Sequence, residues 1–115
     1  MIDKFANALR GVKEGFLDPS IRLQMFLAAL AVIAAIILRL SITEWIIVVV
    51  CIGMVITAEM LNTCIEQICD LYTTSKNEKI RRIKDLGAGA VFMASLAALI
   101  SAIFILCVHI SGGRL

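Results

Sequence analysis

WIIVVVCIGMVITAEMLNTCIEQICDLY, residues 45–72, begins as an apolar run and then takes on Glu59, Asn62, Glu66 and Asp70 without losing helical character. At 100° per residue these four fall within an arc of about 80°, on one helix face about 16 Å long. The part from Trp45 to about Thr63 is long enough to cross a bilayer. With no Pro, and no Gly after Gly53, the helix is expected to run on to about Tyr72. Carboxylates in a hydrocarbon-length segment are costly, so they are expected to face a protein interior or a watery cavity and to mark function.

The rest of the chain supports a membrane setting. Of its 115 residues 61% are hydrophobic and the mean hydropathy is +0.98, above the roughly 45–50% apolar content of a soluble domain. The chain is therefore read as one all-α integral membrane domain, residues 1–115. A net charge of +2 with no cationic tail gives no reason to expect a nucleic-acid partner. Cys51, Cys64, Cys69 and Cys107 lack the paired spacing of a zinc site or a disulfide framework and read as small apolar residues.

Upstream, Ile2, Phe5, Ala6, Leu9, Val12, Phe16 and Leu17 recur with helical period, and charges fill the other side. Residues 1–18 are thus expected to form an amphipathic surface helix, on the membrane or against the ends of the bundle, and not a cleaved leader. Gly15 and Asp18-Pro19 end it, and Asp18 can cap the helix that follows. A first span is expected over 23–42, with Arg39 snorkelling near its far end and Trp45 anchoring the start of the second.

Downstream, 73–82 (TTSKNEKIRR) reads as a basic surface loop. The third span is expected over 86–110, opening on Gly87-Ala88-Gly89-Ala90, small residues that permit close approach to the Glu59 helix. His109, at its far end, reads as an interfacial polar residue. Lys and Arg concentrate in the N-terminal segment and the second loop, which places the N-terminus and the mouth of the acidic face in the cytoplasm.

Chemically, Asp18, Glu66 and Asp70 offer hard oxygen ligands suited to Mg²⁺, which is commonly held by one or two carboxylates plus phosphate oxygens. Lys84 can meet phosphate charge, and Glu59, deeper in the apolar zone, is placed as a general base. This is a kit for phosphoryl transfer from ATP to a lipid hydroxyl. Composition and spacing leave an alternative open: a non-enzymatic membrane protein, such as an ion-coupled carrier, with the same face lining a path. Three short spans enclose little, so an oligomeric helical bundle is expected.

The run Glu59-Met60-Leu61-Asn62-Thr63-Cys64-Ile65-Glu66-Gln67-Ile68-Cys69-Asp70, followed by Lys84-Asp85-Leu86-Gly87-Ala88-Gly89-Ala90-Val91, resembles the signature of the prokaryotic diacylglycerol kinase family. The likeness extends over essentially the whole chain, and the lead-in Leu40 to Trp45 is more similar to the Gram-positive branch, whose members phosphorylate undecaprenol. The resemblance implies a homotrimer in the bacterial cytoplasmic (inner) membrane, with active sites shared between subunits. It would transfer the γ-phosphate of MgATP to undecaprenol or diacylglycerol. By motif position Glu59 would be the base, Glu66 and Asp18 the metal ligands, and Asn62, Lys84 and Asp85 the ATP contacts; Lys76 and Asn77, in a loop of the family's length that reproduces no motif, are further candidate ATP contacts. Glu59 and Arg22 would meet the lipid. Asp18 stands where the family has Glu, and Gln24 where the Gram-positive branch has His.

Overall fold

The computed structural model describes residues 1–73 and 75–115 as four helices: α1 (Ile2–Gly15), α2 (Pro19–Leu38), α3 (Ile42–Tyr72) and α4 (Glu78–Ile110). Among the described residues there is no strand, so the all-α class holds, and α2, α3 and α4 are each long and apolar enough to cross a membrane. At 1.5 Å per residue α3 and α4 extend about 46 and 50 Å, well beyond a hydrocarbon core of about 30 Å. Each is therefore longer than a perpendicular crossing requires.

Each junction is fixed by local chemistry. Asp18 caps α2, its Oδ1 accepting from the backbone N–H groups of Ser20 (2.9 Å) and Ile21 (3.3 Å), with Pro19 at the first helical position. Arg22 Nε donates to the Phe16 carbonyl at 2.8 Å, pinning the elbow between α1 and α2. Ile21 is buried there, and a Cβ on Gly15 would lie 3.2 Å from Met60 Cε, so the elbow rests on α3. Helix α1 buries none of its residues and leaves Ile2, Phe5 and Leu9 exposed.

Two boundaries differ from those expected. The first span is expected to run through Arg39 to Ile42, but α2 stops at Leu38, because Arg39 turns left-handed (φ 52°, ψ 59°) and the chain closes the helix with bonds back to Ala35 and Ile36. Ile42 instead opens α3 behind a capping box: Ser41 Oγ accepts from Glu44 N at 3.2 Å, and Glu44 Oε1 accepts from Ser41 N at 2.8 Å. Likewise α4 begins at Glu78, so only the first part of the expected 73–82 loop is non-helical; Thr74 lies outside the described residues. Asn77 Oδ1 caps the N–H groups of Lys79 (2.9 Å) and Ile80 (3.2 Å). The ion pairs Glu78–Arg81 and Arg81–Asp85, the latter 2.6 Å, then hold the first turns.

Helix α4 packs along α3, while α2 touches α3 over a shorter stretch. The shared interior is thin: Ile21, Ala35, Val55, Cys69, Ala94 and Ile105 are its buried apolar residues. Most apolar side chains face outward, as they can only where lipid or another protein surface replaces water.

At the end of the bundle away from the α3–α4 connection, Glu44 is completely buried. His109 Nε2 lies 2.9 Å from its Oε2 and 3.1 Å from its Oε1, and the His109 side chain is 13% exposed. His109 thus joins the last turn of α4 to the first turn of α3 through its hydrogen bond to Glu44. Nearby, Ser41 Oγ donates to the Leu115 carbonyl at 2.9 Å.

Candidate active site

The polar face of α3 survives as a face. Glu59 and Asn62 are both 8% exposed, whereas Glu66 and Asp70 are exposed, so the strip runs from the buried interior outward toward the projecting end. Asn62 Nδ2 donates to Glu66 Oε1 at 3.1 Å, a bond one helical turn long that orients both side chains. Asn62 Oδ1 is buried and has no hydrogen-bond partner among the described residues. A buried amide oxygen left without a donor costs on the order of 1–3 kcal/mol, so it is best understood as a group waiting for a ligand.

Gly87 of α4 makes this arrangement possible. A Cβ there would sit 2.5 Å from Asn62 Oδ1 and 3.4 Å from Ile65 Cδ1, so only glycine lets α4 approach the α3 polar face so closely. Around Gly89, by contrast, there is open space. Gly87→Val is expected to swing Asn62 away from Glu66 and lower catalysis on the order of 10²-fold. Gly89→Val should remain near the parent rate, and a parent-like rate for Gly87→Val would show that the close approach is dispensable.

Across from this strip, the α2 elbow brings Asp18 near enough for its carboxylate, together with Glu66 of the same helix, to act on Glu59, and Gln24 of α2 lies on the same side. Asp18 thus stands on the side of α3 that carries Glu59, Asn62 and Glu66. Asp18 serves as a cap through Oδ1 alone, which leaves its second oxygen for other duty. Among the described residues no group of three His, Cys, Asp or Glu side chains converges as a metal cage. The donors present are nevertheless all hard oxygens, and one or two carboxylates fit an ion that fills its shell with phosphate and water, the habit of Mg²⁺.

Other expected contacts are engaged elsewhere. Lys84 Nζ bonds Asp70 Oδ1 at 2.7 Å, tying the projecting ends of α3 and α4 together, and that bond raises the Lys84 ammonium above its usual range. Asp85 pairs with Arg81, Asn77 caps α4, and Lys76 is exposed in the connection before it. Arg22 is exposed at the elbow. Sequence reasoning noticed Gln24 only as a departure from the family; the signal that places it here is its position one and a half turns into α2, level with Glu59 in an antiparallel neighbour.

The family model described as prokaryotic diacylglycerol kinase matches residues 6–106. A curated protein named undecaprenol kinase, from Bacillus subtilis (strain 168), is 31% identical over 102 residues, covering 88% of this chain and 83% of its own length.

Proposed function

The chain belongs to the prokaryotic diacylglycerol kinase family and is a lipid kinase, and from that premise we propose that it transfers the γ-phosphate of ATP to the hydroxyl of undecaprenol or diacylglycerol at the cytoplasmic face of the bacterial inner membrane. The observation that carries the reading is the buried pair Glu59 and Asn62, set on one helix face between Gln24 and Gly87. Glu59 takes the proton from the lipid hydroxyl as its oxygen attacks the γ-phosphorus, and the bond from that phosphorus to the β,γ-bridging oxygen breaks, releasing ADP. Asn62 meets the phosphates through its amide. Glu66 and Asp18 would hold Mg²⁺, which when bound neutralises phosphate charge. Lys84 and Asp85 give up their ion pairs to the nucleotide, with Lys76 and Asn77 at its rim, and Arg22 faces the lipid headgroup.

The basic N-terminal segment and 73–85 stretch support the cytoplasmic orientation, and the amphipathic α1 is suited to lie at that surface. The broad exposed apolar faces support a homotrimer whose subunits complete one another's sites. Incubating the purified protein in vesicles with γ-labelled ATP, Mg²⁺ and either undecaprenol or diacylglycerol tests the reading. Label should enter a lipid and should not when Mg²⁺ is chelated; transfer to neither lipid would overturn it. Native mass measurement should report three copies.

Asp18 has two separable duties. Asp18→Asn keeps the cap but removes the carboxylate, and is expected to lower activity at least tenfold with a raised Mg²⁺ requirement and no loss of stability. Asp18→Ala should in addition cost about 1 kcal/mol. Equal activity of Asp18→Asn and the parent would confine Asp18 to capping.

A further inference from the structure

We propose that Asp70 is a positioning residue that competes with the nucleotide for Lys84, holding the ammonium away from the phosphate position until ATP takes it over; this rests on the lipid-kinase reading above and on the place given there to Lys84. Lys84 Nζ donates to Asp70 Oδ1 at 2.7 Å, across the gap between α4 and α3. The other described ion pairs near this end, Glu78–Arg81 and Arg81–Asp85, stay within α4.

Helix geometry shows what the pair does to the ammonium. Gly87 lies against Asn62, so these two residues mark one level of the antiparallel helices α3 and α4. Lys84 is one turn before Gly87, about 4.5 Å along α4, which sets its backbone level with residues 65 and 66 of α3. Asp70 is one turn beyond Glu66, about 6 Å further out. The Lys84 side chain is therefore rooted beside Glu66 but drawn outward past it, to the far end of the polar strip. Glu66 still lies near enough for its charge to act on the ammonium. In the catalytic arrangement Glu66 is committed to Mg²⁺, so Asp70 is the carboxylate left to compete with phosphate for Lys84.

Stability does not account for the pair. Its side chains are 39% and 59% exposed, and an ion pair so open to water adds little to folding. The same modest strength suits a contact that opens in every cycle. While Asp70 holds Lys84 the site lacks its cation, so nucleotide affinity is scaled down by the fraction of molecules in which Lys84 is free. For a pair of this exposure that factor is about three to six. A lysine fits the exchange, because its ammonium is a point charge on a flexible stem and needs no fixed fork of partners.

The test measures KM for MgATP and kcat in vesicles for the parent, Asp70→Asn and Asp70→Glu. It adds equilibrium binding of a Mg²⁺-loaded ATP analogue with an imido β,γ-bridge. Asp70→Asn is expected to lower KM about three- to sixfold, with kcat changed by less than about twofold and the thermal midpoint unmoved. Asp70→Ser should do the same, which covers the case in which the first variant fails to fold. Asp70→Glu keeps the carboxylate and should return KM toward the parent value. With Lys84→Gln already in place, Asp70→Asn should leave analogue affinity unchanged, since it acts through the ammonium. An unchanged or raised KM in Asp70→Asn would overturn the proposal. So would equal tightening with and without Lys84→Gln, which would reduce Asp70 to one more negative charge near the site. If the parent phosphorylates no lipid and binds no analogue, it is the kinase reading that fails, and this proposal falls with it.

Discussion

Glu59→Gln is expected to abolish lipid phosphorylation, by a factor on the order of 10² or more, while leaving helix content and native mass unchanged. The substitution is nearly isosteric and Glu59 is buried, so the amide can occupy the same space. What it cannot do is accept the proton of the lipid hydroxyl. Binding of a nucleotide analogue should persist, because the groups assigned to phosphate lie further along α3 and on α4. A variant that phosphorylates lipid at the parent rate would remove Glu59 from the chemistry, and one that loses nucleotide binding as well would make its role structural.

The second large effect concerns stability and lies at the opposite end of the bundle. His109→Leu leaves the Glu44 carboxylate buried without its imidazole partner, and stranding one member of a buried hydrogen-bonded pair is far more damaging than removing both. The thermal midpoint in detergent is expected to fall by about 10 °C or more. Combining it with Glu44→Met should recover most of that loss, short of the contribution of the capping box with Ser41. A double variant as unstable as His109→Leu would show that the packing around the pair, and not its charge, holds the two helices together. Activity per folded molecule should change little, since the pair stands away from the acidic face.

Much of this architecture is written in periodicity. The apolar runs announced the three long helices, and the arc of about 80° that holds Glu59, Asn62, Glu66 and Asp70 announced a shared polar face on α3, because helix geometry alone determines which residues of one helix share a face. The small residues at Gly87 announced a close approach, which the structure places against Asn62. What periodicity does not carry is pairing between helices. Glu44 and His109 are 65 residues apart, and nothing local says that they meet. The same holds for Lys84, expected at the nucleotide and found bonded to Asp70. Two boundary shifts were local and within reach: Ser41-Ile42-Thr43-Glu44 is a capping-box sequence, and Asn77-Glu78 with Arg81 is a helix start. In both, hydropathy drew the limits at the membrane, while hydrogen-bonding chemistry ends the helices elsewhere.

The Glu44–His109 pair also bears on the order in which the molecule forms. Its acid belongs to the first turn of α3 and its base to the last turn of α4, so both long helices must be threaded and side by side before the two can meet. The contact spans 65 residues, a longer loop than those closed by the described Glu78–Arg81, Arg81–Asp85 and Asp70–Lys84 pairs, and so carries the larger closure entropy. Until then Glu44 remains hydrated at the bilayer surface, and only the arrival of the final helix draws it into the interior. Burial of that one carboxylate therefore reports that α3 and α4 are both in place.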